Sequence, residues 1–599
     1  MKELRQLNPY LYRYRWRLLW GTAFVILANL LAVYAPQLVR QAIDAVIHYS
    51  AYAGYFSDAE SRQAFVGGLS LTLIGFAALV LLVAIGRGLF MFLMRQTLIV
   101  MSRLIEYDQK NELYAHSQRL DLEFYKTHST GDLMSRLTED VSRVRMYTGP
   151  ALMYSLNLLV LFVLVTATMI QVDARLTLYT LLPLPVLGVG IYQVSRIIHL
   201  KSERIQQQLG RLTTWAQECY AGIRVIQGLG LQPAMSQRFA HEAEAYRQNT
   251  MSLARVEAWY HPLILLLVGL STLLTVLVGG WQVMQGTVTA GNIAEFVIYI
   301  NMLTWPIASV GWVMALVQRA AASQKRINEF LAQQPVVRNR GIIRKPISGA
   351  VRLEQVSFTY PHSGIEALHD VSLDIEPGER VALMGLTGSG KTTLLQLLPR
   401  FYDPTRGRIL LDGIPLQDYA LDHLRRHIGY MPQDVVLFSD TIYHNIAFSG
   451  TDRYTEQQVQ EAARQASILE DIMHMPRQFQ TQIGERGLTL SGGQKQRLAL
   501  ARTLITHPQL LLLDDCFSAV DAETEARLLE QLHRYATGKT TVVVTHRIFT
   551  TLAFDRIFVL HQGRLAEQGT HEALLQRRGI YYLLHQKQAM EQKAGVVPV

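Results

Sequence analysis

Cysteine is nearly absent: the chain of 599 residues holds two, Cys219 and Cys516, far apart and in no C-x-x-C pair. That spacing argues against a disulfide framework and a structural zinc site. Charge is also sparse, with 18% charged residues against 49% hydrophobic ones. Such a chain is apolar for a soluble protein and too polar to lie wholly in a membrane. Its length is too great for one ordinary domain, so a mixed, multidomain chain is expected. The formal net charge is +9. A basic balance suits nucleic acid or the cytoplasmic loops of a membrane protein, and the placement of the charge decides between them.

Asp, Glu, Lys and Arg are missing altogether from Leu18–Val39, Ala64–Gly86, Met146–Val172, Leu176–Ser195, Ala258–Ala294 and Phe296–Gln318. Each run supplies roughly 20 apolar residues, enough to cross about 30 Å of hydrocarbon as a helix. Ala258–Ala294 is too long for one crossing and breaks at a Gly/Thr-rich turn, Gln285–Gly291. Six spans follow, over about 17–47, 64–94, 146–171, 176–197, 258–281 and 292–318.

The connecting segments set the orientation. Lys2, Arg5, Arg13, Arg15 and Arg17 precede the first span, and basic residues recur from Arg95 to Arg145 between the second and third. The opposite turns are poor in charge: Ile47–Ala64 holds Asp58, Glu60 and Arg62, and Trp281–Ala294 holds none. The positive-inside rule then places both termini in the cytoplasm and accounts for much of the net charge without nucleic acid. No small-residue cleavage site follows the long first apolar run, so no cleavable signal peptide is expected. Helical patterning continues beyond the second span through Glu106–Arg119 and beyond the fourth through Arg196–Ala216. These segments read either as solvated hairpins or as levers reaching a cytoplasmic motor.

Composition changes after Phe330. A linker over 331–350, rich in Pro, Gly and basic residues, leads to a region (351–586) where short aliphatic runs alternate with helical patterns. That alternation marks an α/β domain with a mostly parallel sheet. Within it, the strand Arg380–Met384 runs into Gly385-Leu386-Thr387-Gly388-Ser389-Gly390-Lys391-Thr392, and a helical pattern begins at Thr393. This is G-x-x-x-x-G-K-[ST] in its strand–loop–helix setting, a P-loop. The glycines let backbone N–H groups close around phosphate oxygens, Lys391 reaches the β- and γ-phosphates of ATP, and Thr392 can ligate Mg²⁺. The apolar strand Leu510–Leu513 ends in Asp514 and Asp515, which puts a carboxylate at the carboxyl edge of the sheet, where Asp514 is the expected Mg²⁺-site residue. Leu490-Ser491-Gly492-Gly493-Gln494 opens a further helix, an anion-binding arrangement.

That last pentapeptide is the signature of the ATP-binding cassette family, which the chain resembles from about Tyr10 to Gln586. The resemblance is to a half-transporter of the exporter type. It implies an all-α six-helix transmembrane domain with long cytoplasmic helical extensions, followed by an α/β P-loop nucleotide-binding domain. By the same resemblance, Tyr360 stacks on adenine, Gln433 contacts Mg²⁺ and the lytic water, and His546 senses the γ-phosphate. Gly484-Glu485-Arg486-Gly487 would contact the inner loops, and Ser518-Ala519-Val520-Asp521 would cross to a partner cassette. Phe124-Tyr125 with Thr130–Arg136, and Ala221–Ile226, resemble the family's inner loops, which places short coupling helices near Glu112–Leu120 and Thr214–Tyr220.

One position departs from the family. The residue after the strand-end aspartate is usually the glutamate that polarises water; here it is Asp515, one methylene shorter. A carboxylate withdrawn by roughly 1 Å costs on the order of 10²-fold in rate, while ATP binding need not suffer. In this family two cassettes pair head to tail, each ATP lying between one chain's P-loop and the other's signature. A weakened base with an intact signature implies a heterodimer: Asp515 in a slow site, and Ser491, Gly492, Gly493 and Gln494 completing a competent site on a different half-transporter that carries the glutamate. A homodimer tolerating aspartate at both sites is the alternative. The expected activity is ATP-driven export of a drug, lipid or peptide across the cell's inner membrane; a signalling membrane ATPase is the rival. Tyr299, Asn301, Trp305 and Trp312 of the sixth span and Asn157 of the third either line a cavity or pack between helices, and Arg87 is an intramembrane charge to test. The tail over 587–599 suggests no role.

Overall fold

The charge-free runs of the first half become long helices in the computed structural model, which describes residues 2–52, 59–450, 453–484, 490–517, 520, 522–546 and 554–593. Among the described residues, six helical segments are long and apolar enough to cross a membrane. They begin with α1 (Arg15–Tyr52) and α2 (Ala59–Ser117). After the short α3 (Leu122–Thr127), short α- and π-helical segments from Thr130 onward run without a break into α4 (Leu152–Val172). The fourth span pairs Ala174–Leu181 with α5 (Pro183–Ala221). The short α6 (Ile223–Gly228) leads to α7 (Gln232–Met284), and α8 (Ala290–Ala332) completes the set. The helices after spans two and four therefore extend far past the apolar runs.

The two short inner helices lie further along the chain than the sequence suggests. Glu112–Ser117 continues α2 without a break, and the short helix is α3, begun by Asp121, whose carboxylate accepts from the Phe124 N–H at 3.2 Å. Likewise Thr214–Tyr220 lies within α5, and α6 begins only after Gly222 leaves helical geometry at φ −91°, ψ 13°. Helix-favouring residues carry each long helix onward until a cap or glycine stops it.

The chain divides into two compact units: Met1–Gln118 with Gly131–Gln333, and Arg119–Thr130 with Gln334–Val599. In the helical unit, α1 and α8 are tied through polar groups. The Asp44 carboxylate accepts from the Gly291 N–H at 3.0 Å and from Thr289 Oγ1 at 2.8 Å. One helical turn on, Glu295 is fully buried, 3.3 Å from Arg40 and 2.9 Å from the Tyr299 hydroxyl. Nearer the other end of α8, buried Asp140 accepts from Ser323 at 2.8 Å and meets Arg326 at 3.1 Å. Arg87, by contrast, is exposed on α2. Buried charge in this unit is carried by Glu295 and Asp140, and not by Arg87.

Of the aromatic and amide residues noted in the spans, Tyr299 is packing: it is buried, with its hydroxyl on the Val33 carbonyl at 3.0 Å. Asn157 accepts from Asn29 at 2.9 Å. Asn301 donates to the Val297 carbonyl of its own helix. Trp305 and Trp312 are exposed and flank Tyr154, each with ring centroids 5.5 Å away.

The second unit holds two sheets. Strands β1 (Val351–Thr359), β2 (Glu366–Ile375), β4 (Arg406–Leu411) and β5 (Ile414–Pro415) form an antiparallel sheet in the order β2-β1-β4-β5. Strands β3 (Arg380–Gly385), β6 (Ile428–Met431), β7 (Leu510–Asp514), β8 (Thr540–Val544), β9 (Arg556–His561) and β10 (Arg564–Gly569) form the other, in the order β10-β9-β3-β8-β7-β6. Only β10 runs antiparallel in it. Every residue of β7 is buried. Leu510 and Leu512 enter one hydrophobic cluster and Leu511 and Leu513 the other, because successive side chains leave opposite faces of a strand. Both faces are thus covered, and the carboxyl ends of β3, β7 and β8 open onto the candidate site.

Candidate functional site

The loop that leaves β3 has three glycines in left-handed backbone, Gly385 (φ 148°), Gly388 (φ 79°) and Gly390 (φ 96°). A Cβ on Gly385 would stand 2.2 Å from the Leu560 carbonyl oxygen, and one on Gly390 2.6 Å from that of Ala367. Only glycine lets the loop turn so tightly against β9 and β2. The helix α9 (Lys391–Leu397) follows. Lys391 is buried, and its ammonium donates to the Gly385 and Leu386 carbonyls, at 3.0 and 2.8 Å, and to Ser389 Oγ at 3.3 Å. Withdrawal from water lowers its pKa to about 8 against the pull of Asp514 and Asp515.

Thr392 Oγ1 donates to Asp514 Oδ1 at 3.2 Å. Asp514 is buried at the end of β7, and its other oxygen has no hydrogen-bond partner among the described residues. Burial raises its pKa, partly offset by the Thr392 hydroxyl. Asp515 stands next to it in left-handed backbone, φ 47°, its N–H on the Val544 carbonyl at 3.0 Å.

A cleft of about 930 Å³ collects these groups. Thr387, Gly388, Ser389, Gly390, Lys391, Thr392 and Thr393 form its floor, with Gln433, Asp514, Asp515 and His546 at one side and Tyr360 at the other. Gly385 and Leu386 lie behind the floor, where their carbonyls hold Lys391. The Tyr360 hydroxyl meets Thr393 Oγ1 at 2.9 Å, and burial raises its pKa. His546 is exposed as a residue, yet desolvation of its ring, ahead of the Lys391 charge, lowers its pKa. A volume of this size, with an aromatic wall, a glycine-rich anion cradle and a buried carboxylate beside a hydroxyl, suits a nucleoside polyphosphate.

Ser491, Gly492, Gly493 and Gln494 lie outside this cleft. They open α10 (Gly492–Leu504) in a capping box: the Ser491 hydroxyl accepts from the Gln494 N–H at 3.3 Å, and the Gln494 side chain accepts from the Ser491 N–H at 3.1 Å. Ser491 and Gly492 are exposed. Glu485, Arg486 and Gly487, Ser518, Ala519 and Asp521, and the last six residues of the tail lie outside the described residues.

The sequence reading missed several cleft residues, including Lys126, His362 and Gln562. Gln562 and Gly563 form the turn between β9 and β10, which a strand–turn–strand pattern can reveal. Lys126 carries no such signal, being one basic residue among many in its segment.

A transmembrane-region model of ABC transporters matches residues 18–307, and an ABC transporter model matches residues 368–518. The multidrug resistance-like ATP-binding protein MdlA of Escherichia coli (strain K12) is 33% identical over 592 residues, 99% of this chain and 97% of its own length. The chain belongs to the ABC transporter family. A probable multidrug resistance ABC transporter ATP-binding/permease protein of Bacillus subtilis (strain 168), YheI, is 35% identical, with 82% of this chain and 84% of that protein covered. An ATP-dependent lipid A-core flippase of Syntrophus aciditrophicus (strain SB) is 34% identical over 82% of this chain and 81% of its own. The solved structure of a bacterial Atm1-family ABC exporter with ATP bound superposes with a TM-score of 0.76 at 28% identity, covering 96% of this chain and 98% of that one. This ABC exporter is therefore a multi-pass membrane protein whose cytoplasmic cassette binds ATP and couples its hydrolysis to transport.

Proposed function

We propose that this ABC exporter works beside a second, different half-transporter and contributes the slower of the pair's two ATP sites. The observation that carries the reading is Asp515: the residue that follows the buried Asp514 in the cleft is an aspartate where the family uses glutamate. Its carboxylate is short for a general base, whereas the groups suited to holding ATP are all in place. In this reading Tyr360 stacks on adenine and the Thr387–Thr393 backbone with Lys391 holds the phosphates. Gln433 and His546, which line the same cleft, would meet the γ-phosphate and the attacking water. The Ser491–Gln494 segment, with Ser491 and Gly492 exposed, would complete the competent site on the partner's P-loop, in keeping with its position away from this chain's own cleft.

Thr392, Gln433 and Asp514 are the residues that would hold Mg²⁺. The unpartnered Asp514 oxygen beside the Thr392 hydroxyl suits a small cation that takes one or two carboxylates and completes its shell with phosphate oxygens and water. Bound there, the ion would neutralise charge on the β- and γ-phosphates.

Export would proceed by alternating access. ATP binds the closed pair of cassettes better than the open pair, and that differential affinity shifts the helices from inward- to outward-facing. Hydrolysis at the competent site then resets them. The cargo is hydrophobic or amphipathic, a drug, lipid or peptide, and the membrane is the cell's inner (plasma) membrane with both termini cytoplasmic. The printed names of the relatives, multidrug resistance proteins and lipid A-core flippases, support this class. So do the exposed rings of Trp305 and Trp312, which flank the half-buried Tyr154. Native mass spectrometry of the complex drawn from its source membrane through a tag on this chain tests the pairing. A one-to-one complex with a different half-transporter is expected. A dimer of this chain alone, with a family-normal ATPase abolished by Asp515→Ala, would overturn the proposal.

A further inference from the structure

Lys126 comes from the sequence between the second and third spans, yet its segment, Arg119–Thr130, packs as part of the cassette unit. Two contacts fix α3 there: Leu122 packs against the cassette core, and the Glu123 carboxylate meets His362 Nδ1 at 3.0 Å. So held, the Lys126 ammonium stands 4.6 Å from the centroid of the Tyr360 ring and 5.3 Å from that of Tyr402. The two rings meet nearly at right angles with centroids 5.7 Å apart, and the ammonium sits in the corner they make. Tyr360 packs against the hydrophobic core beside Phe358, and Lys126 covers it from the cleft. A cation over a tyrosine face within about 6 Å is held by the ring's quadrupole. A nucleobase stacked on the same face needs its carbons within about 4 Å of the ring's, which leaves no room for the ammonium.

We propose that Lys126 is a specificity-determining residue of the nucleotide site: its ammonium holds the Tyr360 face that adenine takes, so that a base must displace it to stack there. This rests on the reading of Tyr360 as the base's seat. In this reading the phosphate chain lies on the P-loop, Thr387–Thr393 with Lys391, and not on the Tyr360 ring face. A ligand must therefore bring a base that stacks better than the ammonium, which favours the large π-surface of a purine over a base-free polyphosphate.

The test uses the full chain in lipid nanodiscs, with fluorescent MANT-ATP and Mg²⁺ as the probe and inorganic pyrophosphate as a base-free competitor. Lys126→Met keeps the apolar stem and removes the charge. It is expected to bind MANT-ATP about threefold to tenfold tighter, the reciprocal of a lost cation–π contact, with pyrophosphate affinity unchanged. Lys126→Arg, which preserves the contact, should bind as the parent does, and Lys126→Met should have no effect on MANT-ATP affinity once Tyr360 is alanine. Unchanged or weaker MANT-ATP binding by Lys126→Met would overturn the inference, as would an equal gain for pyrophosphate. Tyr360→Ala alone separates the two readings. If it leaves MANT-ATP affinity intact, Tyr360 is not the base's seat. If it weakens binding while Lys126→Met does not tighten it, only the competition fails.

Discussion

The Thr392 hydroxyl donates to Asp514 Oδ1 at 3.2 Å across the strand, β8, that separates β3 from β7. Two ligand groups from distant parts of the chain are thereby held in register by the sheet. Preorganisation of this kind lowers the cost of capturing a cation.

Thr392→Ala removes one side of that pair. Its affinity for ATP with Mg²⁺ should fall by about ten- to a hundredfold, while its affinity for ATP in EDTA stays near that of the parent. Paired titrations with and without the metal check this. Equal loss in both conditions would mean that Thr392 acts on the phosphates or on folding rather than through the cation.

Asp515→Glu lengthens the side chain by one methylene and carries the carboxylate roughly 1 Å further into the cleft, a displacement able to change rates on the order of 10²-fold. The backbone at 515 is left-handed, φ 47°, which aspartate adopts more readily than glutamate, so part of that gain is lost to strain. The assay is ATP turnover by the complex after the partner's catalytic glutamate has been made glutamine, leaving this chain's site as the source of activity. Turnover about tenfold or more above that of the Asp515 form is expected. No increase would show that the length of this carboxylate is not what limits the site.

Arg40 and Glu295 offer a test within the helical unit. Glu295 is fully buried and faces Arg40 at 3.3 Å. Arg40→Met leaves that carboxylate without its counter-charge and should cost about 3–5 kcal/mol. The double change Arg40→Met with Glu295→Leu removes both charges and should recover most of the loss. Thermal midpoints of the purified exporter, read for both singles and the double, give the coupling. A double variant no better than Arg40→Met would show that the pair is not what stabilises the α1–α8 contact.

The spans and the P-loop were legible because each is a local pattern: charge-free runs set the helices, and glycine spacing with Lys391 and Thr392 sets the loop. The short inner helices were misplaced because Glu112–Ser117 and Thr214–Tyr220 are good helix formers. The actual stops are single residues, the Asp121 cap and Gly222. The Arg40–Glu295 pair was hidden at the very ends of apolar runs, where a charge looks like a boundary, and only tertiary packing brings the two together. Lys126 was hidden for a related reason, since its importance arises when a segment from the first half packs with the second unit.

Gly385 and Gly388 separate two costs that one loop imposes. Both have positive φ, 148° and 79°. At Gly385 an added methyl would stand 2.2 Å from the Leu560 backbone oxygen, which cannot move without breaking the β3–β9 pairing. At Gly388 it would meet nothing within 4 Å, so only the left-handed backbone is charged for, at about 1–2 kcal/mol. Gly385→Ala should therefore unfold the cassette or strip its nucleotide affinity outright. Gly388→Ala should fold, with a small drop in thermal midpoint and weakened ATP binding as the loop relaxes. Circular dichroism melts beside MANT-ATP titrations distinguish the two. Equal stability of the variants would mean that the β3–β9 edge yields to the methyl, and that the loop's shape is set by the phosphates it holds rather than by the strand behind it.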